Sequence, residues 1–133
     1  MILNMKNLLG VAREKGFAVP AFNISDYNMF NGIMEICEEK NAPVIIAIHP
    51  DELRHITSEM VKGIIARTNN SKIPAVIHLD HGASIDQIIK AIQIGFTSVM
   101  IDGSKHPFEE NIALTKQVVE YAHAHGVVVE AEL

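Results

Sequence analysis

A single cysteine, Cys37, stands among 133 residues, so no internal disulfide can form, and this thiol usage fits a reducing cytoplasm. Tryptophan is absent. Lysine and arginine number 11 against 16 acidic residues, a formal charge of −5, and they form no dense patch that would attract nucleic acid or an anionic membrane. No apolar run approaches the ~18 residues of a membrane span. Met1-Ile2-Leu3-Asn4-Met5-Lys6 lacks the charged start, apolar block and small-residue cleavage site of a secretory leader. Glycine-rich phosphate loops of the Walker or dinucleotide type are missing, as are linkers, low-complexity tracts and charge blocks. The acidic balance does not exclude an anionic small molecule, because helix N-termini bind phosphate locally whatever the overall sign.

Apolar residues make up 48% of the chain, enough for one domain with a real core. The organising stretch is Ile73-Pro74-Ala75-Val76-Ile77-His78-Leu79-Asp80-His81-Gly82. An apolar run of strand length ends in an acid, an imidazole and a glycine. Ser84 and Gln87 follow with the spacing of a helix-starting capping box. A buried strand has no structural need for Asp and His at its end, whereas a site at the carboxyl edge of a parallel sheet does.

The rest of the chain repeats that alternation. A helix is expected from about Met5 to Lys15, closed by Gly16, then a short strand Ala18–Asn23 whose Pro20 argues for an edge or early barrel position. Ser25 or Asp26 caps a helix carrying Phe30, Ile33, Met34 and Cys37 at i, i+3, i+4, i+7, so Cys37 reads as core. Val44–Ile48 is a fully apolar strand; an irregular segment begins at Pro50; Met60, Val61, Ile64 and Ile65 mark another amphipathic helix. After the polar turn Asn69-Asn70-Ser71 come the Ile73–Asp80 strand and a helix lined by Ile85, Ile88, Ile89 and Ile92 and stopped by Gly95. Strand Thr97–Asp102 leads to a helix with Pro107 in its first turn and Ile112, Val119 and Ala122 on one stripe. Gly126–Leu133 reads as a last strand.

Five strands alternating with helices leave two architectures, an open doubly wound sheet or the first part of a (β/α)8 barrel, which in full takes ~250 residues. Side-chain parity favours the barrel. One face carries Val19, Ala21, Asn23; Ile45, Ala47, His49; Val76, His78, Asp80; Ser98, Met100, Asp102; and Val128, Glu130, Glu132. The other carries Ile77, Leu79, Val99, Ile101, Val127 and Val129. A doubly wound sheet is covered by helices on both faces and should be apolar on both, but here one face grows polar toward the carboxyl end, as a barrel lumen and mouth would.

Asn23, His49, Asp80, His81, Asp102 and Glu132 all fall at carboxyl ends of strands, which converge in a barrel. Imidazole with carboxylates suits Zn²⁺ or another divalent transition metal. Adjacent strand residues face opposite ways, so Asp80 and His81 are expected to share a site only where the strand dissolves into loop, with Gly82 permitting the bend. A metal on His81 beside a free Asp80 would place a Lewis acid next to a proton carrier. Each residue also has a plainer reading. Asp80 or Asp102 alone could cap a turn, His81 alone could be a loop histidine, and Glu132 alone a frayed end. His78 reads as a lumen histidine satisfied by hydrogen bonds, with Glu130 as a partner. His123 and His125 read as helix C-terminal residues.

The sequence resembles the class II, zinc-dependent fructose- and tagatose-bisphosphate aldolases. The matching pieces run in order through the chain: Val19-Pro20-Ala21-Phe22-Asn23, Pro43-Val44-Ile45-Ile46, His78-Leu79-Asp80-His81-Gly82, Gly95 through Ser104, Pro107-Phe108-Glu109-Glu110-Asn111, and Val129-Glu130-Ala131-Glu132-Leu133. The resemblance implies a barrel and reversible aldol cleavage of a ketose 1,6-bisphosphate to dihydroxyacetone phosphate and glyceraldehyde 3-phosphate, a step of carbohydrate metabolism. By the same resemblance, His81 matches a catalytic zinc ligand and Asp80 the acid/base for the C4 hydroxyl proton. Asp102 and Glu132 match carboxylates that can hold metal in an alternative, non-catalytic position, and Asn23 a residue near substrate. It also implies a cytoplasmic homo-oligomer, dimer or tetramer.

His49-Pro50-Asp51 stands where many relatives carry a small hydroxylated or glycine-containing turn, which bears on substrate preference. Residues 1–133 are expected to be the N-terminal part of one barrel domain. Two further zinc-binding histidines, the phosphate-binding loops and a mobile acid-bearing loop would lie beyond Leu133, so this polypeptide alone is expected to bind zinc poorly and to show negligible turnover. Two other readings stay open from the residues themselves: a different metal-dependent barrel such as a hydrolase, and a non-enzymatic half-barrel assembly module.

Overall fold

A computed structural model describes residues 1–133. The helices begin and end where local chemistry dictates. Helix α1 (Met5–Lys15) starts at Asn4, whose side chain accepts from the Lys6 amide, and stops at Gly16 in the left-handed conformation. Of the two candidate caps for α2 (Tyr27–Glu39), Asp26 is the one used, accepting from Met29 N–H. Helix α3 (Ser58–Asn69) is capped by Thr57, and a 3₁₀ turn, Glu52–Arg54, fills the irregular segment before it. Ser84 caps α4 (Ile85–Ile94), and Gln87 reaches back to the Ala83 amide at 2.9 Å, completing a reciprocal box one residue longer than expected. Helix α5 (Phe108–Ala124) begins just after Pro107, which occupies the cap position and makes no side-chain capping hydrogen bond.

The strands are β1 (Ala21–Asn23), β2 (Val44–Ile48), β3 (Ala75–Gly82), β4 (Ser98–Ile101) and β5 (Val128–Ala131). All pair in parallel, in the order β1-β2-β3-β4-β5. A doubly wound sheet reverses its strand order at a switch point. This sheet never reverses, so each βα unit adds on the same side as the last, as the beginning of a (β/α) barrel does.

Two cores follow from that winding. The outer one packs 22 residues, among them Phe30, Met34, Ile46, Ile64, Ile77, Leu79, Ile88, Val99, Ile101 and Val118, between the sheet and α2 to α5. The smaller one lies on the lumen face, where Met5 and Leu8 of α1 meet Ile45 and Val76, with Val19 and Val128 alongside. Helix α1 therefore closes the N-terminal end of the lumen, and the parity read from the sequence corresponds to these two clusters.

Three expectations need correction. β1 is shorter than Ala18–Asn23: Pro20 has no N–H to pair, and regular pairing begins at Ala21↔Ile45. β3 runs past Asp80 to Gly82. On α5 the inward stripe is Asn111, Val118 and Ala122, whereas Ile112 is 46% exposed. The helix is rotated by about one residue from the hydrophobic choice, and a buried asparagine takes the place of Ile112.

Candidate metal centre

The carboxyl edge of the sheet is built by an irregularity in β3. Leu79 pairs with Val99 and Gly82 with Ile101, so β3 spends three residues where β4 spends two. The extra residue is absorbed at His81, whose φ of 48° lies in the left-handed region. That bulge brings Asp80 and His81 to the same mouth despite their adjacent positions. Gly82 plays a different part from the one expected. It keeps an ordinary φ, but a Cβ there would lie 2.6 Å from the Met100 carbonyl oxygen and 2.9 Å from the Ile88 side chain, so glycine is required by close approach of β4 and α4.

Four strand tips now meet. His81 Nδ1 lies 3.1 Å from Asp102 Oδ2 and 3.6 Å from Glu132 Oε2, while its Nε2 lies 3.9 Å from Asp80 Oδ1. The other Asp80 oxygen accepts from Asn23 Nδ2 at 3.0 Å, which ties β1 to β3 across the intervening strand. The His49 ring stands 6.0 Å from the His81 ring at the end of β2, and its Nδ1 accepts from the Asp51 amide. All six residues named from the sequence thus stand at one rim, with Asp80 and Asp102 about four-fifths covered and His81 and Glu132 more open.

Charge balance explains the titration of this group. Asp102 receives the Ser104 hydroxyl and amide as well as His81, and these hold its carboxyl down at about 2. The hydrogen bond to Asp102, followed by the charges of Asp80 and Glu132, raises the His81 imidazole above its ordinary value. One layer below, His78 behaves as a lumen histidine. It is buried, with Nδ1 2.9 Å from Ser98 Oγ and Nε2 3.4 Å from Glu130 Oε2, and burial pushes it down to about 4.

One donor atom from each of His81, Asp102 and Glu132 can be chosen so that all three lie within 4.8 Å of one another. Ligands bonded at ~2.0–2.2 Å to one ion are themselves ~3–3.5 Å apart, so the observed 3.1 and 3.6 Å separations are of the right size, and an imidazole with two carboxylates is a donor set that zinc accepts. His78 does not join them, nor do His55, His106, His123 and His125, none of which lies near this rim by any ring or carboxylate contact with it. The residue that sequence reasoning missed is Asn111, whose amide donates to the Glu132 carbonyl oxygen at 2.7 Å. Its sequence signals are its place at the end of the Pro107–Asn111 piece that matches the aldolases and its spacing at i, i+7 and i+11 with Val118 and Ala122, where an apolar residue would be expected.

A one-way wound parallel sheet with an imidazole–carboxylate cluster on its carboxyl edge has the architecture of half a (β/α) barrel, a fold class whose sites are built at that edge. Comparison with known proteins makes this specific. The family model for class-II fructose-bisphosphate aldolase matches residues 3–133, and the chain belongs to that family. It is 47% identical to the fructose-bisphosphate aldolase of Staphylococcus aureus (strain N315) over 99% of this chain and 48% of that protein. For the corresponding protein of Staphylococcus epidermidis (strain ATCC 12228) the identity is 44%, with the same coverage. The crystal structure of the YdjI aldolase from Escherichia coli K12 superimposes with a TM-score of 0.94 at 32% identity, covering all of this chain and 51% of that one. The chain spans about half the length of the relatives it matches.

Proposed function

We propose that this chain carries the acid/base residue and the first metal ligands of a zinc-dependent ketose-bisphosphate aldolase. The reaction is reversible cleavage of fructose or tagatose 1,6-bisphosphate to dihydroxyacetone phosphate and glyceraldehyde 3-phosphate. The observation that carries this reading is the convergence of Asp80, His81, Asp102 and Glu132 at one rim in a chain of the aldolase family.

His81, Asp102 and Glu132 would hold the ion, His81 after losing the proton that it shares with Asp102. Zinc in the catalytic position, to which His81 alone of these three is matched, would supply a Lewis acid for the substrate carbonyl; Asp102 and Glu132 belong to the alternative, non-catalytic position of the ion. Asp80 does the proton work. In cleavage it takes the C4 hydroxyl proton as the C3–C4 bond breaks, leaving C4 an aldehyde and the bonding pair at C3 of the other fragment. That fragment becomes dihydroxyacetone phosphate on taking up a proton there. Condensation reverses these transfers, with Asp80 returning the hydroxyl proton. Asn23, by holding one Asp80 oxygen, leaves the other free to face the reacting hydroxyl. His49, at the same rim, borders the space where the ketose would sit and bears on substrate preference. The reading includes a cytoplasmic homo-oligomer as the active form. With one imidazole among its ligands, the chain by itself binds zinc weakly and turns over negligibly, and residues 1–133 form the N-terminal part of one barrel domain.

The test is a chimera in which residues 1–133 replace the matching half of the Staphylococcus aureus enzyme. The folded chimera should cleave fructose or tagatose 1,6-bisphosphate, lose activity to a chelator, and lose ~10²–10⁴-fold in kcat with Asp80→Asn. A folded chimera that cleaves neither sugar, or whose rate survives Asp80→Asn, would contradict the assignment.

A further inference from the structure

Five polar residues are buried, and each has a hydrogen-bond partner. Thr68 donates to the Ile64 carbonyl, Ser71 donates to Glu38, and His78 and Ser98 bond each other in the lumen. The fifth is Asn111, on the first turn of α5 and 4% exposed. Its Nδ2 donates to the Glu132 carbonyl oxygen at 2.7 Å, and its Oδ1 accepts from the Thr115 hydroxyl at 3.3 Å. Thr115 thereby sets which way the amide faces, because a hydroxyl donor and a carbonyl acceptor fit only one of its two orientations.

The same amide lies flat against Gly103, where an added methyl would overlap the Asn111 oxygen. One side chain therefore touches the residue that follows Asp102 and also the backbone of Glu132. This matters because the β4–β5 ladder ends at Ile101↔Ala131, one residue short of both carboxylates. Past that point no strand pairing holds Asp102 and Glu132 at a fixed separation. Asn111 continues the connection beyond the ladder, bonded to Glu132 on one side and packed against Gly103 on the other.

We propose that Asn111 is a positioning residue, an extra rung made from a side chain, that fixes Glu132 relative to Asp102 and His81. The inference rests on the reading of these three residues as a cation site. It assigns Gly103 a purpose as well: the position is glycine so that the asparagine amide can reach across to β5. An asparagine suits the task because it supplies a neutral donor of the right length without adding another charge beside three carboxylates.

The experiment is nuclear magnetic resonance on the full 133-residue chain, with Asn111→Leu and Gly103→Ala as variants. Leucine keeps the buried volume and removes both hydrogen bonds; the added methyl on residue 103 displaces the amide while leaving the asparagine in place. Without metal, the Glu132 amide order parameter should fall clearly below its wild-type value in both variants, while the Ala83 amide is unchanged. With Mn²⁺ added, wild-type amides of Ser104 and Glu132 should broaden together. In the variants, broadening at Glu132 should drop at least threefold against that at Ser104. Should Asn111→Leu fail to fold, Thr115→Val removes only the orienting hydroxyl and gives the comparison in milder form. A Glu132 amide as rigid in the variants as in the wild type, or joint broadening that they leave unaltered, would overturn the role of Asn111 alone. Absence of broadening at both amides in the wild type would overturn the cation site and the positioning role built on it.

Discussion

His78 shows how a residue beside a reactive site can be structural. Its ring is buried against Ser98, and burial holds it neutral down to about 4, against an ordinary 6.5. A depressed histidine is uncharged in the folded chain while the unfolded chain already binds a proton. Stability is therefore full above pH 6.5 and falls as the pH drops toward 4, by ~3 kcal/mol if His78 acted alone. Urea midpoints measured from pH 7.5 to 4.5 should decline through that window, and His78→Gln should flatten the decline. An unchanged slope in the variant would place the loss elsewhere. The sequence disclosed the residues of the rim because acids and histidines at strand ends have no packing role. It did not disclose Asn111, because one polar residue on a helix is ordinarily solvent-facing, and only the tertiary bond to Glu132 turns it inward. Nor did it disclose that His81 itself, rather than Gly82, takes the left-handed backbone.

Among the elements, β3 carries the most constraint. Its bulge lets two adjacent residues serve one site, and Gly82 lets β4 and α4 close over it. Gly82→Ala meets a backbone oxygen, which cannot move as a side-chain tip can, and should cost ~2–3 kcal/mol, lowering Tm by roughly 8–12 °C. Thermal unfolding checks this; a loss within ~2 °C would show that the close approach relaxes freely. At the opposite end of the sheet, Arg67 of α3 makes two hydrogen bonds of 2.8 Å to Glu38 of α2, and Ser71 adds a third. Arg67, then Ser71, holds the Glu38 carboxyl down at about 2. Because that value is depressed from 4.5, the contribution is complete above pH 4.5 and disappears as the pH falls toward 2. Arg67→Met should cost ~1–2 kcal/mol at pH 7, after allowing for partial exposure, and progressively less below pH 4.5. A cost that does not shrink in acid would mean packing, not the ion pair, is what the arginine supplies. Two helix starts were legible in the sequence, since Asp26 and Ser84 announce caps whose hydrogen bonds are local, whereas the caps Asn4 and Thr57 emerge only from the structure. The ends of β1 and β3 were not legible, since a proline pairing defect and a bulge are settled by the neighbouring strand.

For the whole molecule, the decisive fact is that one face of five parallel strands ripens from apolar to charged along their length. Val19, Ile45, Val76 and Val128 surround Met5 and Leu8 at one end; Asn23, Asp80, Asp102 and Glu132 stand at the other. Side-chain alternation made that gradient readable before any coordinates, and the unreversed strand order gives it a shape, an inward-facing wall. What alternation could not supply was distance, since it does not say whether tips on separate strands lie 3 or 10 Å apart. The measurement that tests the convergence most directly is anomalous diffraction at the zinc edge from crystals of this chain soaked in zinc. A single dominant peak bonded to His81, Asp102 and Glu132, absent in His81→Ala, is the predicted result. Zinc seated elsewhere, with that rim left bare of density, would contradict the account.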